Sequence, residues 1–418
     1  MLKKFLFSQL FPNILLITLG VTPLLSAQNQ YGFEYPKVLF FICLVLGLLI
    51  LSEFSPRLIR HKLFAKSFLT IGGICFICTL TVASIFGQNL QQSILGQYPY
   101  YQGICLYLFL FVFALLVYSI RIPLKKYSYA FVLSGTWIAW VALWQWIELH
   151  LLGMPIATYS GRVVSTFGQP NLYSGYLAMV LPFFFFLMEK ENKMKKIILG
   201  VLAGVVFLGI AVSMSRLSLI LVGIFAGISV LFFLYKSKYF IKVAIVMGVL
   251  AMFFSILALP KVIQTEFIDP FNYTWLKVNN PEKRVYIWQV AISQGIKRPI
   301  LGYGVDSFRD VYASYFVDAP KEASYYSRKV LVVDRAHNYL LDLFVYAGVV
   351  GVALWLLLVG NTLIRLRKNR WLLLAFILYF LFVLVHPQSV VHLMFFWFLA
   401  GIAAKSEDYV KEKGSLQE

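Results

Sequence analysis

Apolar runs of about 20 residues recur along the whole chain, and they constrain its fold more than any other feature. A helix of that length crosses the hydrocarbon core of a bilayer, where every backbone N–H and C=O must find a partner inside the protein. Apolar residues make up 60% of the 418 positions and charged residues only 13%, which leaves too little polar surface for a soluble protein. The sequence therefore predicts an all-α, polytopic membrane protein.

The spacing of the apolar runs predicts about twelve membrane-spanning helices. The predicted spans are 8–26, 37–52, 67–87, 103–120, 127–150, 171–188, 197–215, 217–235, 241–258, 337–360, 371–386 and 389–404. The predicted organisation is spans one to nine over 1–258, a large polar loop containing short helices over 259–336, spans ten to twelve over 337–404, and a tail over 405–418.

The distribution of lysine and arginine orients the predicted bundle. With the N-terminus placed in the cytoplasm, the short outer loops hold only Lys37, Arg162 and Arg216. The inner segments hold Lys3, Lys4, Arg57, Arg60, Lys62, Lys66, Arg121, Lys125, Lys126, Lys190, Lys193, Lys195, Lys196, Lys236, Lys238, Lys242, Arg365, Arg367, Lys368 and Arg370. Positive charge collects on the cytoplasmic side of membrane proteins, so we expect both termini inside and the 259–336 loop outside.

The net charge of +19 is therefore mostly a matter of membrane topology. Nucleic-acid binding would need the positive charge on one face, whereas here it is scattered over separate cytoplasmic segments of a bundle. We exclude a nucleic-acid partner and expect the lipid bilayer to be the main surrounding.

The four cysteines Cys43, Cys75, Cys78 and Cys105 all lie in predicted spans. Cys75 and Cys78 have the spacing of a metal or redox pair, but they have no second pair and no nearby histidine. We expect all four to be packing residues, and the sequence predicts no metal site and no cofactor.

The polar loop has the signals of a small folded cap. Asn280-Pro281 is typical of a helix start and Lys297-Arg298-Pro299 of a helix end. This helix carries Arg284, Trp288, Ala291 and Gly295 on one face, at spacings of three to four residues. Gly302-Tyr303-Gly304 predicts a bend rather than a nucleotide site, and Asp306 or Ser307 begins a second short helix through Tyr315.

His337 is the leading candidate for a catalytic residue. It stands at the outer mouth of the tenth span with Asp334 as the expected cap, where a helix N-terminus presents N–H groups to an anion. An imidazole with a near-neutral pKa can take up a proton at working pH. The alternative is an interfacial histidine that only reaches toward water. Arg335 and Asn338 beside it favour function, whereas His386 and His392 at the last outer turn are weaker candidates that we expect to be structural.

Arg216 and Arg162 stand out because the outer side has so few cations. Arg216 occupies a very short turn between spans seven and eight, where its guanidinium needs a partner at the membrane face, and a phosphate fits its planar fork. Arg162 precedes Pro170-Asn171, which opens the sixth span. The alternative for both arginines is snorkelling, or pairing with a carboxylate such as that of Glu148 or Asp342.

Several of these motifs, in this order, resemble the O-antigen ligase and polymerase superfamily. The resemblance covers roughly residues 160–352. It is carried by Thr166-Phe-Gly-Gln-Pro-Asn171 opening a span, Ser215-Arg216 in a tight outer turn, Arg284 with Trp288, Pro299-x-x-Gly-x-Gly304, and His337-Asn338 followed by Gly348 and Gly351.

The resemblance implies a membrane-embedded, metal-independent, inverting glycosyltransferase of the C type. Such enzymes take a glycan from undecaprenyl diphosphate and act outside the bacterial cytoplasmic membrane. Family roles place His337 at acceptor activation, and Arg216 and Arg284 on the diphosphate. The other expected substrate contacts are Arg162, Asn171, Trp288, Tyr303, Arg335 and Asn338. Tyr346 departs from the pattern because many members carry Glu there, which puts in doubt any mechanism that needs that carboxylate.

The acceptor is left open by the sequence. A lipid A core would make the protein a ligase, the next repeat unit would make it a polysaccharide polymerase, and a protein hydroxyl would make it a protein O-oligosaccharyltransferase; a cell-wall polymer is a further alternative. A lipid or polysaccharide transporter is the alternative of another class. It predicts charged or broken spans at the midplane and paired halves, and the sequence shows no repeat.

The charge asymmetry predicts the side of each loop. Reporter fusions at residue 300 should report the extracytoplasmic side, and fusions at 64, 193, 368 and 415 should report the cytoplasm, because lysine and arginine near span ends set orientation. A cytoplasmic signal at 300 would contradict the whole topology.

Overall fold

The described part of the chain is almost entirely helical. The computed structural model describes residues 2–27, 32–53, 67–120, 122–234, 284–318 and 333–414. The helices are α1 Leu2–Val21, α2 Tyr35–Glu53, α3 Phe68–Ile85, α4 Leu90–Leu95, α5 Ile104–Ser119, α6 Leu124–His150, α7 Pro170–Lys190, α8 Lys193–Val212, α9 Arg216–Leu234, α10 Arg284–Lys297, α11 Phe308–Asp318, α12 Tyr339–Leu366, α13 Arg370–Val383 and α14 Val390–Gly414. Two short antiparallel strands, β1 Thr158–Tyr159 and β2 Arg162–Val163, complete it.

The all-α prediction is confirmed, and the protein is a multi-pass membrane protein. Six described helices, α2, α3, α6, α7, α8 and α12, are long and apolar enough to cross a membrane. The shorter apolar helices lie within α1, α5, α9, α13 and α14, at positions where we predicted spans. The predicted span at 241–258 lies outside the described residues, so the count of twelve stays a prediction.

Aromatic side chains fill the centre of the bundle. The ring of Phe131 in α6 stacks on Phe183 in α7 at 4.6 Å between centroids, and it meets Phe395 and Phe398 of α14 edge-on at 5.4 and 5.0 Å. Such pairs contribute about 0.5–1.5 kcal/mol each beyond the area that they bury. Because lipid removes the hydrophobic drive for helices to associate, this close packing positions α7 and α14 as inner helices.

Small residues allow a close crossing of α6 and α8. Gly209 of α8 faces Ala139 of α6, and a Cβ added at Gly209 would lie 2.6 Å from the Ala139 Cβ. Only glycine fits at that distance, as is common where membrane helices cross.

Helix α12 is interrupted at Ala347 and Gly348, whose φ/ψ angles are −139°/16° and 61°/−162°. The interruption leaves helix carbonyls free to pair with another segment. The backbone N–H groups of Tyr303 and Gly304 donate to the carbonyls of Val345 and Tyr346 at 2.8 and 3.0 Å. The segment 299–304 thus packs against the break in α12 and is held there by backbone hydrogen bonds.

The described parts of the polar loop agree with most of the local predictions. Helix α10 ends at Lys297 as expected, while its expected start at Asn280-Pro281 lies outside the described residues. Helix α11 is confirmed at Phe308–Asp318, and the bend is confirmed by positive φ at Gly302 and Gly304. On the predicted face of α10, Ala291 and Gly295 are buried.

Helix α14 continues to Gly414, so the predicted tail is helical up to that residue, and its place on the cytoplasmic side stays a prediction. One expectation needs correction. The cysteines are free thiols as expected, but Cys43, Cys75 and Cys78 are exposed on the helix surface and Cys105 is half-buried. The first three are therefore not packing residues; a thiol is apolar enough to face lipid without a partner.

Gly348 should be irreplaceable at the α12 break. A Cβ there would lie 2.3 Å from backbone atoms of Ile300, and the backbone conformation is one that only glycine adopts easily. We expect Gly348→Ala to destabilise the detergent-purified protein by about 1–3 kcal/mol or more, measured as a lower thermal unfolding midpoint.

Gly360 provides the matched control in the same helix. A Cβ at Gly360 meets nothing within 4 Å, and alanine favours helix over glycine. Gly360→Ala should leave the midpoint unchanged or raise it. Equal midpoints for the two variants would contradict the docking of 299–304 at the break.

Candidate active site

The backbone around His337 is held in place by two side chains. The Ala336 N–H donates to Asp342 Oδ1 at 2.7 Å, and Trp288 Nε1 of α10 donates to the Ala336 carbonyl at 2.8 Å. His337 itself adopts a left-handed conformation with φ of 56°. Non-glycine residues in this region are uncommon and persist where their surroundings fix them, often at functional sites.

Arg335 is buried in an ion pair immediately before the histidine. The residue is 3% exposed, and its guanidinium pairs with the Asp306 carboxylate and donates to the Tyr346 hydroxyl. The charge also lies over the ring of Tyr100, 5.1 Å from its centroid. These internal partners occupy the guanidinium and fix the turn before His337. The predicted substrate contact of Arg335 stays a prediction.

Asn338 begins α12. Its Oδ1 accepts hydrogen bonds from the backbone N–H groups of Leu340 at 3.0 Å and Leu341 at 3.3 Å, which is the usual N-cap arrangement. The prediction of Asp334 as the cap is therefore wrong, since the helix begins four residues further along. Asn338 Oδ1 thus has a capping role, and the predicted substrate contact of this residue stays a prediction.

Tyr303 is also occupied inside the fold. Its side chain is buried, its hydroxyl donates to the Gln294 carbonyl at 3.1 Å, and the Arg298 guanidinium lies 5.0 Å from its ring centroid. These contacts fasten the 299–304 segment to α10. Tyr303 thus contributes to the packing of the loop, and its predicted contact with the substrate stays a prediction.

Arg284, His337 and His386 meet at the end of the bundle. Arg284 Nη2 lies 3.4 Å from His386 Nε2, and the rings of His337 and His386 meet edge-to-face with centroids 6.5 Å apart. These residues come from α10, from the turn before α12 and from the turn between α13 and α14. Three separate elements thus build one site, and His386 is the member that the sequence prediction had ranked as structural.

Both histidines are held neutral by their surroundings. Burial and the nearby Arg284 charge lower the pKa of His337 to about 4. Burial also lowers the pKa of His386 well below its usual value, and the charges of Arg284, His337, His392 and Arg162 lower it further. A neutral imidazole at neutral pH has a free lone pair, so His337 can accept a proton.

The positive charge of Arg162 acts on His386. It lies in β2, half-buried, and is close enough to disfavour protonation of His386. The structure therefore places the charge of Arg162 within electrostatic range of His386, and its predicted substrate contact stays a prediction.

Helices α7 and α14 begin next to each other at the same end. The buried Glu34 accepts from the Val390 N–H at 2.8 Å, and Lys37 donates to the Thr166 carbonyl at 2.8 Å. Glu34 and Lys37 also pair at 3.4 Å. The Thr166–Asn171 motif thus has a structural function in placing the first turn of α7, which holds the half-buried Asn171.

Arg216 is the first residue of α9 and is exposed. Its helix is tied to α7 by buried hydroxyls: Ser174 and Ser218 lie 2.7 Å apart, and Ser218 donates to Ser215 Oγ at 3.1 Å. Arg216 therefore begins a helix whose first turn is tied to the first turns of α7.

One comparison with known proteins bears on this site. Residues 201–356 match a family model described as O-antigen ligase. The matched stretch contains Arg216, Arg284 and His337, and it supports the O-antigen ligase and polymerase superfamily, whose members are glycosyltransferase-type enzymes. A search of curated proteins found no match.

Proposed function

We propose that this chain, which carries an O-antigen ligase family domain over residues 201–356, transfers a glycan from undecaprenyl diphosphate to an acceptor hydroxyl at the outer face of the bacterial cytoplasmic membrane. The observation that carries the proposal is the meeting of Arg284 with two neutral histidines, His337 and His386, beside Arg162. This arrangement combines cations that can stabilise the leaving diphosphate with a base that can take the proton of the attacking hydroxyl.

The diphosphate binds at the cationic side of the site in this proposal. Arg284 contacts His386, and Arg162 adds a second positive charge. Helices α7, α12 and α14 begin at this end, so their N-termini add positive potential. Arg216 at the start of α9 reaches the same anion. Fixed cations of this kind stabilise the negative charge that grows on the departing diphosphate.

His337 acts as the general base. The acceptor hydroxyl oxygen attacks the anomeric carbon as the bond from that carbon to the diphosphate oxygen breaks, and the hydroxyl proton passes to His337. A single displacement of this type inverts the anomeric centre. His337 then returns its proton to water.

Donor binding strengthens this base. Arg284 contributes to the low pKa of His337 in the free protein. A bound diphosphate offsets the Arg284 charge, which raises the pKa of His337 toward the value that suits proton transfer near neutral pH. The site is therefore most basic when the donor is in place.

The class of acceptor distinguishes a ligase from a polymerase or a protein O-oligosaccharyltransferase, and the three share this chemistry. Deletion of the gene should cause a lipid-linked glycan to accumulate and one glycoconjugate to disappear. The identity of the lost product gives the acceptor. A lipid-linked donor held on the cytoplasmic leaflet of the deletion strain would favour a transporter instead.

Replacing the proposed base or clamp should reduce transfer in purified protein. We expect His337→Ala to lower the rate at least about 100-fold, the usual contribution of a general base. Arg284→Lys and Arg216→Lys should each lower it about 10-fold or more, because an ammonium lacks the bidentate fork. The measurement is transfer from a synthetic undecaprenyl-diphosphate glycan, with thermal unfolding as the check of folding.

Arg298→Lys serves as the control for the arginine variants. Arg298 is exposed on the same loop and packs against Tyr303, away from the two histidines. It should transfer at the wild-type rate. Full activity of His337→Ala would remove His337 from the mechanism.

Transfer should also continue without divalent metal. Side-chain cations at the site supply the charge that a metal supplies in other transferases. We expect full turnover in excess EDTA. Loss of turnover that magnesium or manganese restores would contradict the arginine clamp.

A further inference from the structure

We propose that His386 is a positioning residue for this site: its imidazole accepts a hydrogen bond from Arg284 and holds the guanidinium where the donor diphosphate binds. The inference rests on the proposed function and adds a residue to it. Local sequence signals had favoured a purely structural role for this histidine, and its contact with Arg284 carries the proposal.

The direction of the hydrogen bond follows from the chemistry of the two groups. A guanidinium has only donors, so the contact of 3.4 Å between Arg284 Nη2 and His386 Nε2 requires a lone pair on Nε2. The imidazole must then be neutral, with its proton on Nδ1. The distance is at the long end for a hydrogen bond, as is usual before substrate tightens a site.

The charged surroundings favour this neutral form. Arg284 from α10, Arg162 from β2, His337 before α12 and His392 from α14 all face His386, and each opposes its protonation. A neutral His386 is therefore available as an acceptor whenever Arg284 is charged, and arginine is charged throughout the physiological range.

The second ring nitrogen shows that stability alone does not explain this residue. His386 is 3% exposed, and its Nδ1 is buried without a hydrogen-bond partner among the described residues. A buried polar group without a partner destabilises a fold, and a phenylalanine would fill the same place on the Phe382 ring without that cost. The hydrogen bond from Arg284, which His392 lacks in the described part of the chain, offsets this cost at His386.

The turn that carries His386 is rigid. The His386 N–H donates to the Phe382 carbonyl at 3.0 Å, and the ring stacks on Phe382 with centroids 5.5 Å apart. Two residues on, Gln388 accepts from the Tyr379 hydroxyl at 2.8 Å and from Gln102 Nε2 at 2.5 Å. A fixed acceptor restricts the guanidinium to one orientation, which is how a supporting residue tunes a site.

One pair of variants tests this role. His386→Phe keeps the ring on Phe382 and removes the acceptor, whereas His386→Gln places an amide oxygen near the position of Nε2. We expect His386→Phe to lower kcat/KM about 10- to 100-fold, mainly through a raised KM for the donor. His386→Gln should stay within about threefold of wild type. Should His386→Phe not fold, His386→Asn replaces it, because its shorter amide cannot reach Arg284.

His392→Phe is the matched control. His392 is buried and its ring stacks on the same Phe382 ring, at 4.6 Å, but it bonds to Ser389 instead of an arginine. Its replacement should leave the KM for the donor unchanged, even if the thermal unfolding midpoint falls.

Three results would overturn the proposal. They are a wild-type KM in His386→Phe or His386→Asn, an equal rise in KM for His386→Gln with an unchanged unfolding midpoint, and an equal rise for His392→Phe. A wild-type protein that transfers nothing from an undecaprenyl-diphosphate glycan would contradict the proposed function itself, and is thereby distinguished from a failure of the role of His386.

Discussion

The buried ion pair between Arg335 and Asp306 is the contact on which the rest of the site depends. It joins the polar loop to the turn that carries His337, and the Asp306 carboxylate also accepts from the Gln97 N–H at 2.7 Å. Removing one partner of such a pair leaves an isolated charge in a medium of low dielectric constant, which destabilises proteins by about 3–5 kcal/mol. The helix breaks, bends and caps around His337 are arranged about this one interaction.

The site contains two kinds of arginine, one neutralised by a buried carboxylate and others whose charge lies near the histidines. Arg335 is neutralised inside the protein, while Arg284 and Arg162 keep their charge beside two neutral imidazoles. A scaffold that fixes these groups in advance avoids the cost of reorganising them during the reaction. The scaffold is visible in the capping of α12 by Asn338 and of α14 by Glu34.

Local sequence signals predicted where helices and bends lie, whereas contacts between segments distant in sequence determine which side chains form the site. The end of α10 at Lys297, helix α11 and the bend at Gly302 follow from residues within one or two turns. The contact of Arg284 with His386 joins residues 102 positions apart, and the periodicity of the sequence does not predict it. For the same reason, local signals do not reveal the internal contacts of Arg335 with Asp306 and of Tyr303 with Gln294.

The break at Ala347 and Gly348 divides α12 into parts with different surroundings. The part after the break is a long apolar helix whose depth follows the thickness of the bilayer. The part before it is two turns long, and its carbonyls are bonded to the 299–304 segment. The position of His337 along the membrane normal is therefore set by contacts within the protein and not by lipid. When the membrane thickness changes, the part of α12 after the break can tilt while His337 keeps its distance from Arg284.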